Sequence, residues 1–224
     1  MTNPWKGALL FDIDGTLTDT DPLHIRAFNA MLAQFGRSIT NEEYLSRVMG
    51  FTNAEIMRDF FPDKSPEDHQ ALADWKEAAF RELAGTELHP TKGLLDLMDW
   101  SDAEGIPMAA VTNAPVRNAE LILRGLGIRE RFRTIVIGDD LPRGKPDPLP
   151  YLVAGERLAV ACRDCVAFED SRSGMRSASG AGTLAIGVLS SLPEEELVKA
   201  GAAFVIKDFT DPRLRPLIAQ RLAG

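Results

Sequence analysis

Thiols are scarce in this 224-residue sequence: its two cysteines, Cys162 and Cys165, sit together as a C-x-x-C. A structural zinc wants four Cys or His ligands and no second pair exists, so a zinc module is excluded. A thioredoxin-type pair follows a strand at a helix start. This pair precedes the apolar run at 166–168, which is the wrong order, and two plain thiols in a reducing cytoplasm are expected. No run approaches the roughly 18 apolar residues that cross a bilayer. Residues 1–7 lack a long apolar stretch, so no signal peptide is expected and the location is read as cytoplasmic. Basic residues are also in deficit, 25 Lys and Arg against 33 Asp and Glu, for a formal charge of −8. That charge repels DNA phosphates and anionic membrane faces, so neither nucleic acid nor membrane is an expected partner. A small anion remains possible, because a metal, a lysine and backbone N–H groups can reverse the sign locally.

What the chain does have is enough apolar material, 45%, to fill a core. Short apolar runs at 8–11, 108–111, 134–137, 165–168 and 183–188 read as strands, with a weaker one at 202–206. Between them, 93–104, 116–126, 149–159 and 173–180 carry apolar residues at helical spacing. This alternation predicts an α/β fold: a Rossmann-like, doubly wound parallel sheet with helices on both faces. Residues 21–88 break the pattern. They hold no strand but four helical pieces, about 21–36, 41–48, 53–60 and 66–84, with Asn41 and Ser65-Pro66 as start signals and Gly85 and Pro90 closing the block. An inserted all-helical cap at 19–88 is expected, on a core made of 1–18 and 89–224.

Open parallel sheets bind ligands beyond the C-terminal ends of their strands. There the sequence places Asp12 and Asp14, then Thr112 and Asn113, then Lys145, then Glu169 and Asp170. Crowded carboxylates raise one another's pKa values, and a hard divalent cation such as Mg2+ relieves the repulsion through oxygen ligands. Asp12 and Asp170 can each supply one. With Lys145 as a fixed positive charge, the set suits a phosphoryl group, whose transfer rests on positioning and charge stabilisation. Asp12 and Asp14 fall on one side of an extended segment, so one carboxylate can attack phosphorus while the other handles a proton. Gly15 permits the turn that follows, and backbone N–H groups around Gly15 and Thr16 can cradle a phosphate.

Each piece alone has a blander reading. D-x-D-G can open a calcium loop, but that pattern needs Gly at position 6 and Glu at position 12, where Leu17 and Leu23 stand. Thr112 alone reads as a strand-end hydroxyl, Lys145 as a surface charge, and Glu169-Asp170-Ser171 as a helix cap. Only their joint order carries the catalytic reading.

That order resembles the haloacid dehalogenase superfamily: Asp12-Ile13-Asp14-Gly15-Thr16, then Thr112, then Gly144-Lys145-Pro146, then Glu169-Asp170-Ser171. The cap position resembles the helical-cap branch that includes beta-phosphoglucomutase and sugar-phosphate phosphatases. The resemblance implies that Asp12 is a nucleophile forming an aspartyl-phosphate and that Asp14 protonates the leaving oxygen and then activates water. It implies that Thr112 and Lys145 hold the phosphate. It also implies that Asp12, the Asp14 carbonyl and Asp170 bind Mg2+, with Glu169 reaching it through water. Dehalogenases and phosphonoacetaldehyde hydrolases lack the second aspartate, so the presence of Asp14 disfavours both. A small phosphorylated metabolite is the expected partner, and many capped relatives are monomers.

The break at 48–56 between two cap helices resembles a loop that dips into the site. Asn53 stands where beta-phosphoglucomutase carries an arginine, which disfavours a phosphomutase. His24 resembles a histidine frequent in sugar-phosphate enzymes. Lys76, on a cap helix, is a substrate candidate set against a solvated lysine. Trp75 and Phe80 read as cap core, and His69 and His89 as surface. A phosphatase of sugar or polyol phosphates leads. A phosphomutase, a phosphonate hydrolase and a non-catalytic binding protein are the alternatives.

Overall fold

The computed structural model describes residues 5–223. The first four residues of the segment read as free of a signal peptide lie outside this range. Strand β1, Leu9–Phe11, is fully buried, as is β2, Met108–Thr112. Strands covered on both faces lose the alternation of polar and apolar residues, which is why these read as continuous apolar runs. β3 (Thr134–Ile137), β4 (Val166–Glu169), β5 (Leu184–Val188) and β6 (Phe204–Ile206) complete a six-stranded sheet in the order β3-β2-β1-β4-β5-β6. Every pairing is parallel; Leu9 lies beside Met108 on one edge and Val166 on the other. The chain winds outward from β1 in one direction and then, from β4, in the other. The reversal leaves a crevice beyond the C-terminal ends of β1, β2 and β4. Among the described residues no helix is long and apolar enough to cross a membrane.

Between β1 and the next core helix, α5 (Leu94–Glu104), lie α1 (Asp21–Ala33), α2 (Asn41–Arg47), α3 (Asn53–Phe60) and α4 (Pro66–Glu87). This is the inserted helical cap. Capping boxes start three of its helices: Thr40 with Glu43, Thr52 with Glu55, and Ser65 with Asp68. Each pair satisfies two otherwise orphaned backbone donors. The cap residue of α2 is thus Thr40, with Asn41 as its first helical residue. Gly85 does not end α4, which runs on to Glu87. A glycine inside a helix costs about 1 kcal/mol against alanine, and the packing of α4 along α1 outweighs it.

The remaining helices are α6 (Val116–Gly125), α7 (Leu149–Leu158), α8 (Arg172–Gly180), α9 (Glu194–Ala200) and α10 (Leu214–Ala223). The sequence pattern announces neither α9 nor α10. Phe11, Phe168 and Phe209 pack ring against ring beneath the sheet. The cap has its own apolar cluster, with Phe28, Met31, Leu32, Met57 and Phe60 at its centre. Trp75 is not cap core; it is 42% exposed. His69 is half-buried rather than at the surface, and its Nε2 donates to the Phe61 carbonyl at 2.7 Å. His89 is exposed. Cys162 and Cys165 are free and buried, and burial pushes the Cys165 thiol up to about 12, so it stays protonated.

Candidate active site

The segment after β1 turns sharply. Gly15 has a φ of +75°, and a Cβ there would lie 1.9 Å from Asp170 Oδ2, so only glycine fits. The expected phosphate cradle from Gly15 and Thr16 does not form here. Gly15 N donates to the Thr18 carbonyl at 2.9 Å and Thr16 N to the Ile13 carbonyl at 3.3 Å, so these groups close the turn itself. Neither residue lines the cavity that the turn borders.

That cavity, about 100 Å³, lies between the sheet edge and the cap. Asp12, Asp14, Thr112, Asn113, Lys145 and Asp170 face it from the core. His24, Asn53 and Lys76 face it from the cap. Nine candidates separated by up to 158 positions thus meet in one space, and its size suits a small molecule.

Lys145 is the hub. Its Nζ donates to Asp12 Oδ1 at 2.6 Å, to Glu169 Oε1 at 2.6 Å and to the Val111 carbonyl at 2.7 Å. All three ammonium hydrogens therefore have partners. Asn113 sets its position: Oδ1 accepts from Lys145 N and Nδ2 donates to Lys145 O, both at 3.0 Å. Asn113 thus fixes a catalytic candidate as well as bordering the cavity. Thr112 Oγ1 accepts from Ala114 N at 2.9 Å, which leaves its hydroxyl hydrogen for another acceptor.

Glu169 does not line the cavity. It is fully buried behind Lys145, and Tyr151 Oη donates to its Oε1 at 2.6 Å. Carboxylate oxygens of Asp12, Glu169 and Asp170 nevertheless lie within 4.8 Å of one another. Burial and the charge of Glu169 push Asp12 up to about 8, against the opposing pull of Lys145. Burial, then Asp12, Asp21 and Glu169, push Asp170 well above the carboxylate range. Burial pulls Lys145 down, but Asp12 and Glu169 together raise it. Three buried carboxylates around one lysine lack positive charge, and their donors are all oxygen. That set fits a hard divalent cation.

Asp14 is gripped from the cap. Its Oδ1 accepts from Thr20 Oγ1 at 2.8 Å and lies 3.2 Å from His24 Nε2. Thr20 precedes α1 but gives the helix no side-chain cap, its hydroxyl being directed to Asp14 instead. The His24 ring stacks on Phe80 at 3.9 Å, which places Phe80 beneath the site.

Lys76 is not solvated. It is 4% exposed, and its Nζ lies 2.5 Å from Glu77 Oε1. Asn118 Nδ2 donates to Glu77 Oε2 at 2.5 Å, and Arg81 donates to Asn118 Oδ1 at 2.9 Å, tying α4 to α6. Burial alone would raise Glu77, but Lys76, His24 and these hydrogen bonds outweigh it and hold the carboxyl at about 2. On the opposite side, Tyr44 of α2 donates to Asp21 Oδ1 at 2.7 Å, and Ser191 of the core donates to Asp21 Oδ2. Ser190 donates to Asp170 Oδ2 at 2.9 Å. Thr20, Asp21, Glu77, Asn118, Tyr151 and Ser190 escaped the sequence reading. None follows an apolar strand run, the signal that found the others, except the Ser190 pair just beyond β5.

A parallel sheet with a carboxylate cluster and a lysine at its switch point, roofed by an inserted helical cap, defines a doubly wound α/β protein with a capped site beyond its strand ends. The chain belongs to the haloacid dehalogenase-like hydrolase family, whose model matches residues 9–188. It is 34% identical over 207 residues to a phosphorylated carbohydrates phosphatase of Thermotoga maritima, covering 89% of this chain and 94% of that protein. It is 34% identical over 181 residues to a phosphoglycolate phosphatase of Xylella fastidiosa, covering 81% and 79%. The crystal structure of CbbY from Rhodobacter sphaeroides in complex with phosphate superposes with a TM-score of 0.83 at 32% identity, covering 92% of this chain and 96% of that one.

Proposed function

We propose that this protein is a Mg2+-dependent phosphatase of small phosphate monoesters, sugar or polyol phosphates, working through an aspartyl-phosphate on Asp12. The observation that carries the reading is the contact of Lys145 Nζ with Asp12 Oδ1 at 2.6 Å, inside a cavity that Asp14 also faces. An anionic attacker, a fixed cation and a second carboxylate then surround one phosphorus.

A carboxylate oxygen of Asp12 attacks phosphorus as the ester P–O bond breaks. Asp14 gives its proton to the departing oxygen. Thr20 and His24 hold Asp14 in place for this step. Asp14 then takes a proton from water, whose oxygen attacks phosphorus. The P–O bond to Asp12 breaks, and inorganic phosphate and the free carboxylate result. Lys145 and the Thr112 hydroxyl steady the phosphoryl oxygens. Asp12, the Asp14 carbonyl and Asp170 would hold Mg2+, with Glu169 reaching it through water. Bound Mg2+ supplies charge neutralisation between Asp12 and the phosphoryl group.

In this reading residues 19–88 act as the cap that excludes water and selects the leaving group, and 1–18 with 89–224 form the catalytic core. The protein works as a cytoplasmic monomer. The relatives named above, phosphatases of phosphorylated small molecules, support the substrate class.

The test is phosphate release from p-nitrophenyl phosphate and a panel of sugar and polyol phosphates with Mg2+. Steady release is expected, lost in excess EDTA and in Asp12→Asn. Parent-like turnover by Asp12→Asn overturns the nucleophile, and full activity in EDTA overturns the metal. Interconversion of sugar-phosphate isomers without free phosphate would identify a mutase instead.

A further inference from the structure

The cavity is poor in available positive charge. Among the described residues its lining basic side chains are Lys145, Lys76 and His24. Each faces a carboxylate: Lys145 meets Asp12 and Glu169, Lys76 meets Glu77, and His24 meets Asp14. No arginine lines this space. The Lys76–Glu77 pair lies wholly on the cap, the part that faces the leaving group in the proposed mechanism.

Glu77 is built to stay ionised and in place. Both of its oxygens have donors, Lys76 on one and Asn118 on the other. Lys76 has one of its three ammonium hydrogens on Glu77. The others are free to meet a hydroxyl, and the carboxylate alongside cancels the lysine's formal charge. The surroundings add negative field. A groove of about 970 Å³ shares Asn53, Glu77 and Pro115 with the cavity. Asp139 on that groove is raised by burial and then by Asp140, Glu77 and Glu55. Two arginines, Arg81 and Arg117, also line that groove, and Arg81 is tied to Asn118.

We propose that Glu77 is a specificity-determining residue: by neutralising Lys76 on the cap wall it commits the site to esters with an uncharged, hydroxyl-bearing leaving group and turns away those carrying a second anionic group. This rests on the phosphatase reading and narrows it. A carboxylate or second phosphate brought to this wall meets a neutral ion pair in an acidic field, and it loses water without gaining a countercharge. A hydroxyl loses little and gains the free hydrogens of Lys76.

The experiment compares esters that differ only in this charge, 2-hydroxyethyl phosphate against 2-phosphoglycolate and glycerol 1-phosphate against 3-phosphoglycerate, by phosphate release with Mg2+. The parent is expected to favour the neutral member of each pair in kcat/KM by about tenfold or more. Glu77→Gln keeps the shape, frees the charge of Lys76, and is expected to cut that ratio about tenfold, mainly through KM for the anionic ester. The double variant Lys76→Met with Glu77→Gln should lose the gain. A parent that favours the anionic members overturns the proposal without any variant. So does a Glu77→Gln protein that melts cooperatively and keeps the parent ratio. Absence of phosphate release from every ester, p-nitrophenyl phosphate included, overturns the phosphatase reading itself, whereas an active parent with the wrong ratio overturns this inference alone.

Discussion

Replacing Gly15 with alanine tests the geometry of the proposed cation site through one methyl group. The new Cβ would sit 1.9 Å from Asp170 Oδ2 and 2.6 Å from its Cγ, where ordinary contact begins at 3.4 Å. The carboxylate must therefore retreat by 3.4 − 1.9 = 1.5 Å, or the turn must open. Retreat breaks the 2.9 Å bond from Ser190 and pulls a proposed ligand off its position. A left-handed alanine adds about 1–2 kcal/mol of backbone strain. Misplacing a ligand in this way costs about 10–100-fold in metal affinity, and a 1 Å error in a reacting constellation can cost about 100-fold in rate. Mg2+ titration by calorimetry should show the first loss, and phosphate release at saturating substrate the second. Gly36→Ala is the control. Gly36 has a φ of +63° with nothing within 4 Å of an added Cβ, so it carries the backbone strain without the collision. It should lose stability and keep its Mg2+ affinity. A Gly15→Ala protein that binds Mg2+ and turns over like the parent would show that Asp170 is not held where the metal needs it.

Two further predictions concern stability. Glu77 is held at about 2 against an ordinary 4.5, so its contribution is present above pH 4.5 and is lost as the pH falls toward 2. The difference of about 2.5 units corresponds to about 3 kcal/mol. Urea midpoints of Glu77→Gln should therefore fall less steeply than those of the parent between pH 5 and 3, and parallel curves would refute the assignment. Tyr151→Phe removes a 2.6 Å bond to the buried Glu169 and should cost about 1.5–3 kcal/mol in urea unfolding, with a loss under 0.5 kcal/mol counting against it.

Most core residues legible in the sequence share a local signature, a polar group at the end of an apolar run. Asp12, Thr112 and Glu169-Asp170 all stand at or beside a strand's last residue. The parallel sheet brings those ends together whatever the details of packing, so local pattern and global site coincide. The partners of these residues were not legible, because they are chosen by contacts between distant segments. Neighbours along a helix do not face each other. Nothing in the order Lys76-Glu77 therefore announces an ion pair, which depends on Asn118 arriving 41 positions later. Tyr151 reads as an apolar helix residue until α7 lies against β2 and β3 and its hydroxyl reaches Glu169. Gly85 shows the opposite failure: a correct local preference yields to the packing of α4 on α1. Asn113 reads in the sequence as a contact for the ligand; it borders the cavity, and its side chain also clasps the backbone of Lys145, which no local pattern announces.

The central place of β1 in the sheet governs how the protein is made. Leu9–Phe11 leaves the ribosome well before its two neighbours in the sheet, Met108–Thr112 and Val166–Glu169. The helices of the cap are synthesised in that interval, and Phe28, Met31, Met57 and Phe60 let them begin to collapse on one another while the first strand waits. The nascent chain carries Asp12, the proposed nucleophile, long before it gains Glu169 and Asp170. In the proposed mechanism the site is therefore complete only once the sheet has closed around β1.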